Sequence, residues 1–173
     1  MLGKTVGVVG YGRLGRITAD YFHVFGCEVL ASDPGISKES FASFVTPLDL
    51  NALLGGSDIV TLHVNLNACT AGFFGRDQFA RMKQGGRLIN TSRGELLDQS
   101  ALLDALKSGR LAGAALDVVC DEDARGTPNH PLVLYAKENR NLLITPHIGG
   151  CTYESMGRTE SFMAEKLIQY LRT

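Results

Sequence analysis

The chain contains 173 residues, of which 45% are hydrophobic and 20% are charged. These values are ordinary for a soluble globular protein, and the length suits one domain with a substantial core. The 17 basic and 18 acidic residues leave a formal net charge of -1, which gives no electrostatic reason to expect nucleic acid or an anionic membrane as a partner.

Short β-branched and aliphatic runs alternate along the chain with longer segments of helical periodicity. Strands are predicted at residues 5–9, 28–31, 58–63, 87–91, 111–116 and 142–145. Helices are predicted at residues 13–25, 48–54, 75–82, 99–108 and 152–171. The strands are nearly continuous apolar runs, which is typical of strands buried on both faces. The pattern predicts an α/β protein with a three-layer Rossmann fold, in which a doubly wound parallel sheet carries helices on both faces.

Two segments interrupt this alternation. Residues 33–45 are polar, contain Pro34 and Gly35, and are predicted to hold one short strand near Phe44 and Val45. Residues 121–131 are rich in charged residues, glycine and proline, and are predicted to form an exposed loop. Both segments follow strand ends, where open α/β sheets bind their ligands.

The first predicted strand is followed directly by Gly10-Tyr11-Gly12-Arg13-Leu14-Gly15, which opens the first predicted helix. This is the Gly-x-Gly-x-x-Gly pattern in the setting that a dinucleotide site requires. Gly10 permits a tight turn, Gly12 lets a pyrophosphate approach the backbone, and Gly15 lets the helix pack closely on the strand. The unpaired N–H groups at the helix N-terminus then favour the phosphates.

The second predicted strand ends near Asp33, roughly 20 residues beyond the glycines, where an acidic side chain binds the adenosine ribose hydroxyls. Its negative charge disfavours a 2′-phosphate. We therefore expect NAD rather than NADP as the cofactor. The alternative is a simple glycine turn with an aspartate that only caps a turn.

Three further motifs stand at the ends of predicted strands. They are Asn90-Thr91-Ser92-Arg93-Gly94-Glu95, the segment from Ala115-Leu116-Asp117 to Glu122, and Thr145-Pro146-His147-Ile148-Gly149-Gly150. Taken singly, each has an ordinary explanation, because a strand-end arginine, a loop glutamate and a lone histidine are most often surface or structural residues. Their common position at carboxyl ends of strands, beside a dinucleotide pattern, favours a catalytic site.

Residues 5–15, 91–94, 113–118 and 145–150 resemble the motifs of the D-isomer-specific 2-hydroxyacid dehydrogenase family, in that family's order. The resemblance extends over essentially the whole chain and is closest to the phosphoglycerate dehydrogenase and hydroxypyruvate or glyoxylate reductase branches. It implies one NAD-binding domain over residues 1–173. It also implies hydride transfer between NAD(H) and a small 2-hydroxy or 2-oxo acid.

The resemblance assigns the catalytic roles to Arg93, Glu122 and His147. A histidine can supply the proton that the developing alkoxide needs, because imidazole titrates near neutral pH. A glutamate on the other ring nitrogen orients the ring and favours its protonated form. An arginine can hold the substrate carboxylate and polarise the carbonyl.

The resemblance also places cofactor contacts along the carboxyl edge of the sheet. They fall at Gly10, Gly12, Arg13, Leu14, Gly15, Asp33, His63, Val64, Thr91, Ser92, Arg93, Asp117, His147, Gly149 and Gly150. Asp117 would lie near the nicotinamide amide.

The sequence departs from the family pattern at three places. The N-terminal segment that builds most of the family's substrate lobe is absent from this sequence, so the prediction is that the chain binds NAD but turns over little substrate alone. Asn65 stands where the family usually has proline. The family usually has an acidic residue and a proline just after the catalytic glutamate, whereas residues 123–126 intervene here, which leaves Asp121 as the alternative to Glu122.

Two other functions compete with the oxidoreductase. A non-catalytic NAD-binding module could sense redox state or mediate protein contacts, but it has no need of Arg93, Glu122 and His147 together. A hydrolase with a similar NAD domain, such as adenosylhomocysteine hydrolase, fits poorly because its large substrate domain is absent. Family members usually dimerise through the cofactor domain, so the resemblance implies a homodimer, with a missing substrate lobe as a further partner.

The sequence contains no apolar run of the roughly 18 residues that a membrane span needs, and its N-terminus shows no secretory signal. We therefore predict a cytoplasmic protein with no membrane partner. The four cysteines are scattered, which favours free thiols over disulfides. The cysteines and the four histidines lack ligand spacing, so no metal site is predicted.

Overall fold

The computed structural model describes residues 1–122 and 127–172. Within these residues seven parallel strands form one sheet in the order β3-β2-β1-β4-β5-β6-β7. The strands are β1 (Thr5–Val9), β2 (Glu28–Ser32), β3 (Val45–Pro47), β4 (Ile59–Leu62), β5 (Gly86–Asn90), β6 (Leu111–Leu116) and β7 (Leu142–Ile144). The strand order reverses between β1 and β4, so the crevice that binds ligands in such sheets opens at their carboxyl ends.

Helices cover both faces of the sheet. They are α1 (Arg13–Val24), α2 (Leu50–Gly56), α3 (Arg76–Arg81), α4 (Gln99–Lys107), α5 (Pro131–Glu138) and α6 (Tyr153–Leu171). One buried cluster packs α2, α3, α4 and α5 against the sheet, and a second packs α1 and the β2–β3 crossover against it. The predicted doubly wound Rossmann fold is thereby confirmed.

The predicted loop over residues 121–131 is wrong at its C-terminal end, and helix α5 was not predicted. A 3-10 turn occupies Thr127–Asn129, and α5 begins at Pro131. Proline is favoured at the first helical position because its missing N–H would be unpaired there in any case. His130 caps the helix, since its Nδ1 accepts a hydrogen bond of 3.2 Å from the Leu132 amide. Residues 123–126 of the predicted loop lie outside the described residues.

The β2–β3 crossover also differs from its prediction. The short strand lies at Val45–Pro47 rather than at residues 44–45, and a 3-10 turn at Lys38–Ser40 precedes it. Helix α2 begins at Leu50, two residues later than predicted, because Asp49 is its N-cap. The Asp49 carboxylate accepts a hydrogen bond of 2.9 Å from the Ala52 amide, which satisfies a donor at the helix start.

Helix α6 buries none of its residues. Its large exposed apolar side chains are Tyr153, Met156, Phe162, Met163, Leu167, Ile168, Tyr170 and Leu171. Across the described part of the chain, no helix combines the length and the apolar character that a bilayer crossing requires.

Candidate functional site

Two of the three glycines in the loop between β1 and α1 stand at close approaches, and the third faces open space. Gly10 has a φ of 90°, and a Cβ there would lie 2.6 Å from the carbonyl oxygen of His63. A Cβ on Gly15 would lie 2.1 Å from the carbonyl oxygen of Gly10, so the helix could not pack on the loop with any larger residue. A Cβ on Gly12 would meet nothing within 4 Å. Gly12 therefore faces open space at the N-terminus of α1.

Asp33 stands at the end of β2 and holds the glycine loop. One carboxylate oxygen accepts a hydrogen bond of 2.8 Å from the Tyr11 amide, and the other accepts one of 2.9 Å from the Gly35 amide. Because each oxygen of an ionised carboxylate has two acceptor sites, each oxygen keeps one site. Two adjacent acceptors suit the paired hydroxyl groups of a ribose.

A cleft of about 1260 Å³ runs along the carboxyl edge of the sheet from β2 to β5. Ten of the predicted site residues line it: Gly10, Gly12, Arg13, Leu14, Asp33, His63, Val64, Thr91, Ser92 and Arg93. Pro34, Leu48, Asp49 and Leu50 also line the cleft and were not predicted as site residues from the sequence. Leu48 lies beside the end of β2, since its amide donates a hydrogen bond of 2.9 Å to the Ala31 carbonyl. In the sequence, the signal for the part of the lining at residues 48–50 was a pair of leucines on either side of the helix cap Asp49.

His63 follows β4 and is held as a neutral side chain. Its Nε2 lies 3.1 Å from the Thr61 hydroxyl, and its buried Nδ1 has no hydrogen-bond partner among the described residues. Burial lowers the pKa of His63 from its usual 6.5 to about 4. A buried polar atom without a partner at the edge of a cleft is a candidate ligand contact.

We expect His63 to make the chain less stable as the pH decreases. The unfolded histidine takes up a proton near pH 6.5, whereas the folded one resists protonation until about pH 4. The contribution of His63 to the free energy of unfolding is therefore fully present above pH 6.5 and is lost as the pH falls towards 4. This loss is at most about 3 kcal/mol, and it is smaller where solvent screens the ring. Urea unfolding between pH 7.5 and pH 4.5 measures this loss. In His63→Gln the loss of stability between these pH values should be smaller. The same dependence of the free energy of unfolding on pH in both proteins would contradict a lowered pKa of His63.

The loop that carries Arg93 is ordered by a buried asparagine that the sequence analysis did not single out. Asn90 is fully buried at the end of β5, where its amide donates to the Arg93 carbonyl at 2.8 Å and accepts from the Ser92 amide at 3.0 Å. The Ser92 hydroxyl donates to the Leu62 carbonyl at 2.7 Å, which ties the loop to β4. The exposed Arg93 side chain donates one hydrogen bond of 2.6 Å to the Ser92 carbonyl. Its other N–H groups can face a ligand.

Asp117, at the end of β6, organises the loop that carries His147. Its carboxylate accepts hydrogen bonds from the Thr145 hydroxyl, from the Ile148 amide at 3.1 Å and from the Gly149 amide at 2.9 Å. Burial raises the pKa of Asp117, but these hydrogen bonds outweigh burial and hold the pKa below its ordinary value. Three of about four acceptor sites are occupied, so one remains for a donor such as an amide group.

His147 and Glu122 form a close pair. The His147 Nδ1 lies 2.6 Å from one Glu122 carboxylate oxygen, and the other oxygen accepts a hydrogen bond of 2.7 Å from the Val119 amide. His147 has a φ of 53°, a left-handed conformation that costs energy in a residue with a side chain. The structure thus places Glu122, rather than the alternative Asp121, against the histidine. The pair borders a second cavity of about 550 Å³, whose apolar walls come from α5 and β7.

The remaining predicted contacts lie at the same edge. The Gly149 amide is bound to Asp117, and a Cβ on Gly150 would meet nothing within 4 Å. In the loop after β4, where asparagine stands in place of proline, the Thr70 hydroxyl donates a hydrogen bond of 2.7 Å to the Asn65 carbonyl. The insertion at residues 123–126, which left the choice between Asp121 and Glu122 open, lies outside the described residues.

Comparison with protein families matches residues 1–149 to the model described as "D-isomer specific 2-hydroxyacid dehydrogenase, NAD binding domain". Among curated proteins, the chain is 37% identical to D-3-phosphoglycerate dehydrogenase of Methanocaldococcus jannaschii over 174 residues. That match covers 99% of this chain and 32% of the relative. The chain is also 44% identical over 150 residues to the D-specific alpha-keto acid dehydrogenase of Enterococcus faecalis. That match covers 83% of this chain and 45% of the relative.

Among solved structures, the chain is similar to the NAD-complexed form of a D-isomer specific 2-hydroxyacid dehydrogenase from Lactobacillus delbrueckii ssp. bulgaricus. The TM-score is 0.88 at 32% identity, over 98% of this chain and 53% of that one. The chain thus spans between about a third and about half of the length of these relatives.

Proposed function

Because this chain belongs to the D-isomer specific 2-hydroxyacid dehydrogenase family, we propose that it forms the NAD-binding half of an active site that interconverts small 2-oxo and 2-hydroxy acids. The observation that carries this proposal is the contact of 2.6 Å between His147 and Glu122 at the carboxyl edge of the sheet. A module that only bound NAD would have no use for this pair.

The residues at the cleft fit NAD. The open space at Gly12 admits the pyrophosphate to the N-terminus of α1, where free N–H groups favour negative charge. The two free acceptor sites on Asp33 suit the ribose hydroxyls, and the remaining site on Asp117 suits the nicotinamide amide. Bound NAD(H) supplies or takes up the hydride.

His147 transfers the proton to and from the substrate oxygen. Glu122 occupies its Nδ1, which leaves Nε2 as the ring nitrogen that gives a proton to the substrate oxygen during reduction and removes it during oxidation. The carboxylate stabilises the charged ring and holds its orientation, and the Val119 amide holds the carboxylate in turn.

Arg93 binds the substrate. Its guanidinium offers planar, charge-assisted hydrogen bonds to the carboxylate of a 2-oxo acid and stabilises the negative charge that develops on the carbonyl oxygen. The buried Asn90 fixes the backbone from which this side chain extends.

A second lobe completes this site in our proposal. The relatives are about two to three times longer than the matched region. Hydride transfer needs water to be excluded by closure of a lobe or loop.

We also propose a homodimer and a cytoplasmic location. The apolar side chains of Ile17, Tyr21 and Val24, which are 43%, 64% and 82% exposed on one side of α1, support an association.

We expect the purified chain to oxidise NADH very slowly with glyoxylate, pyruvate or hydroxypyruvate, and we expect His147→Asn to remove whatever turnover there is. Absorbance at the NADH band measures both proteins. Rapid turnover that His147→Asn abolishes would support the catalytic role and contradict the need for a second lobe. Turnover that His147→Asn leaves unchanged would contradict the catalytic role.

Asp33 is expected to select NADH over NADPH, because a 2′-phosphate would meet its negative charge. In Asp33→Asn the ratio of the two dissociation constants should fall by about tenfold, which corresponds to about 1.4 kcal/mol. Calorimetric titration of both proteins with both nucleotides gives the ratio. Asparagine keeps one acceptor for the glycine loop, whereas Asp33→Ala removes both and should also weaken NADH binding. An unchanged ratio in Asp33→Asn would show that selection lies elsewhere.

A further inference from the structure

We infer that Tyr11 is a positioning residue that holds the adenosine end of the cofactor cleft in place. Tyr11 occupies a position between the glycines of the loop, and it is only 1% exposed. It does not line the cleft itself. The side chain instead points into the buried cluster that joins α1 to the β2–β3 crossover.

Tyr11 contacts the middle of this crossover through two interactions, and Arg16 on α1 adds a third contact beside it. Its ring stacks on Phe41 with 4.5 Å between centroids and 19° between planes. Its hydroxyl accepts a hydrogen bond of 3.4 Å from the Ala42 amide. The Arg16 guanidinium lies 4.7 Å from the ring centroid and donates a hydrogen bond of 2.7 Å to the Ser40 carbonyl. A single side chain and its neighbour on α1 thus fasten residues 40–42.

The backbone of Tyr11 reaches the start of the same crossover. Its amide donates to the Asp33 carboxylate at 2.8 Å, so one residue connects the acidic group that faces the ribose to the segment that follows it. A second ring contact, between His23 and Phe44 at 4.1 Å, supports the end of the crossover from the same helix.

The crossover has little regular structure of its own. Between β2 and β3 the structure contains one 3-10 turn of three residues, at Lys38–Ser40. Both ends of the segment nevertheless line the cleft, Pro34 at its start and Leu48 to Leu50 just after β3. These two walls enclose the place beside Asp33 where adenosine would lie. The wall at Leu48 is held by its hydrogen bond to the Ala31 carbonyl. The segment between Pro34 and β3 has no strand pairing, and Tyr11 attaches that segment to the glycine loop.

This inference rests on the proposed NAD site, and ADP-ribose separates the two. ADP-ribose is NAD without the nicotinamide, so it keeps the adenosine, the pyrophosphate and the second ribose. We expect Tyr11→Leu to weaken the binding of ADP-ribose and NADH by the same factor, about tenfold. Tyr11→Phe keeps the stacking and should stay within about threefold of the wild type, because it loses only one long hydrogen bond. Tyr153→Leu is the matched control, since Tyr153 is 96% exposed on α6.

Calorimetry with both ligands distinguishes the outcomes. Failure of the wild type to bind either ligand contradicts the proposed NAD site. Wild-type affinity for ADP-ribose in Tyr11→Leu overturns the role of Tyr11 alone, as does a loss confined to NADH. If Tyr11→Leu does not fold, Arg16→Gln replaces it, with Arg158→Gln as its control. We expect about threefold weaker binding of ADP-ribose in Arg16→Gln, and unchanged binding there would overturn the inference.

Discussion

Replacing Gly12 with alanine is expected to weaken NADH binding by at least about tenfold while leaving the chain at least as stable as the wild type. The new methyl group would meet no protein atom within 4 Å, and the φ of -71° at this position suits alanine. Loss of glycine from the unfolded chain would even add about 0.4–1 kcal/mol of stability. The methyl group would occupy the approach of the pyrophosphate to the N-terminus of α1, so only binding should suffer.

Two other glycines provide the controls for Gly12→Ala. Gly157→Ala on α6 also adds a methyl group in open space. It should weaken neither NADH binding nor the stability of the fold. Gly15→Ala places its Cβ 2.1 Å from a backbone oxygen and should lower the melting temperature. Calorimetry and thermal unfolding of the three variants separate the effects. NADH binding of wild-type strength in Gly12→Ala would mean that the phosphates do not approach the loop here.

Gly94→Ala is expected to lower the free energy of unfolding by about 3 kcal/mol. An added Cβ would lie 2.2 Å from the carbonyl carbon of Val119 and 2.5 Å from the amide nitrogen of Cys120. These are backbone atoms that cannot move aside as a flexible side chain can. Gly94 follows Arg93 directly, and Val119 donates the hydrogen bond that holds Glu122. The close packing at Gly94 therefore brings the arginine loop and the His147–Glu122 pair together.

Urea unfolding of Gly94→Ala measures this cost, with Gly12→Ala as the control for adding a methyl group elsewhere in the site. A variant that folds at low urea concentration should also bind NADH less tightly, because Thr91 and Ser92 belong to the same loop and line the cleft. An unchanged urea midpoint would contradict the close packing of this loop on the chain after β6.

The sheet could be predicted from sequence because its strands are local signals. Apolar runs such as Thr5–Val9 identify themselves, and the glycine pattern specifies both the turn and the helix that follow it. Helix α5 could not be predicted in the same way. It is only eight residues long, and it begins at Pro131. A proline that opens a helix reads, in sequence alone, like one that ends a loop.

The candidate site was predictable where a residue type carries its own chemistry. Arg93, Glu122 and His147 followed from a resemblance in motifs, and the structure brings Glu122 and His147 to 2.6 Å. Asn90 and Tyr11 escaped prediction because their roles depend on partners that the fold supplies. The hydrogen bonds of Asn90 are meaningful only because the residue is buried, and Tyr11 meets Phe41 only through the crossover. Neither burial nor a contact across 30 residues is visible in a local pattern.

In the proposed site, NAD lies along the carboxyl edge of the sheet, across the strand reversal between β1 and β4. Amide chemical shifts of the isotope-labelled chain, recorded during a titration with NAD, test this most directly. We expect saturable shifts at Gly12, Val64 and Thr91, with the amides in the second half of α6 unchanged. Shifts concentrated on another surface, or no shifts from the folded chain at saturating NAD, would contradict the site described above.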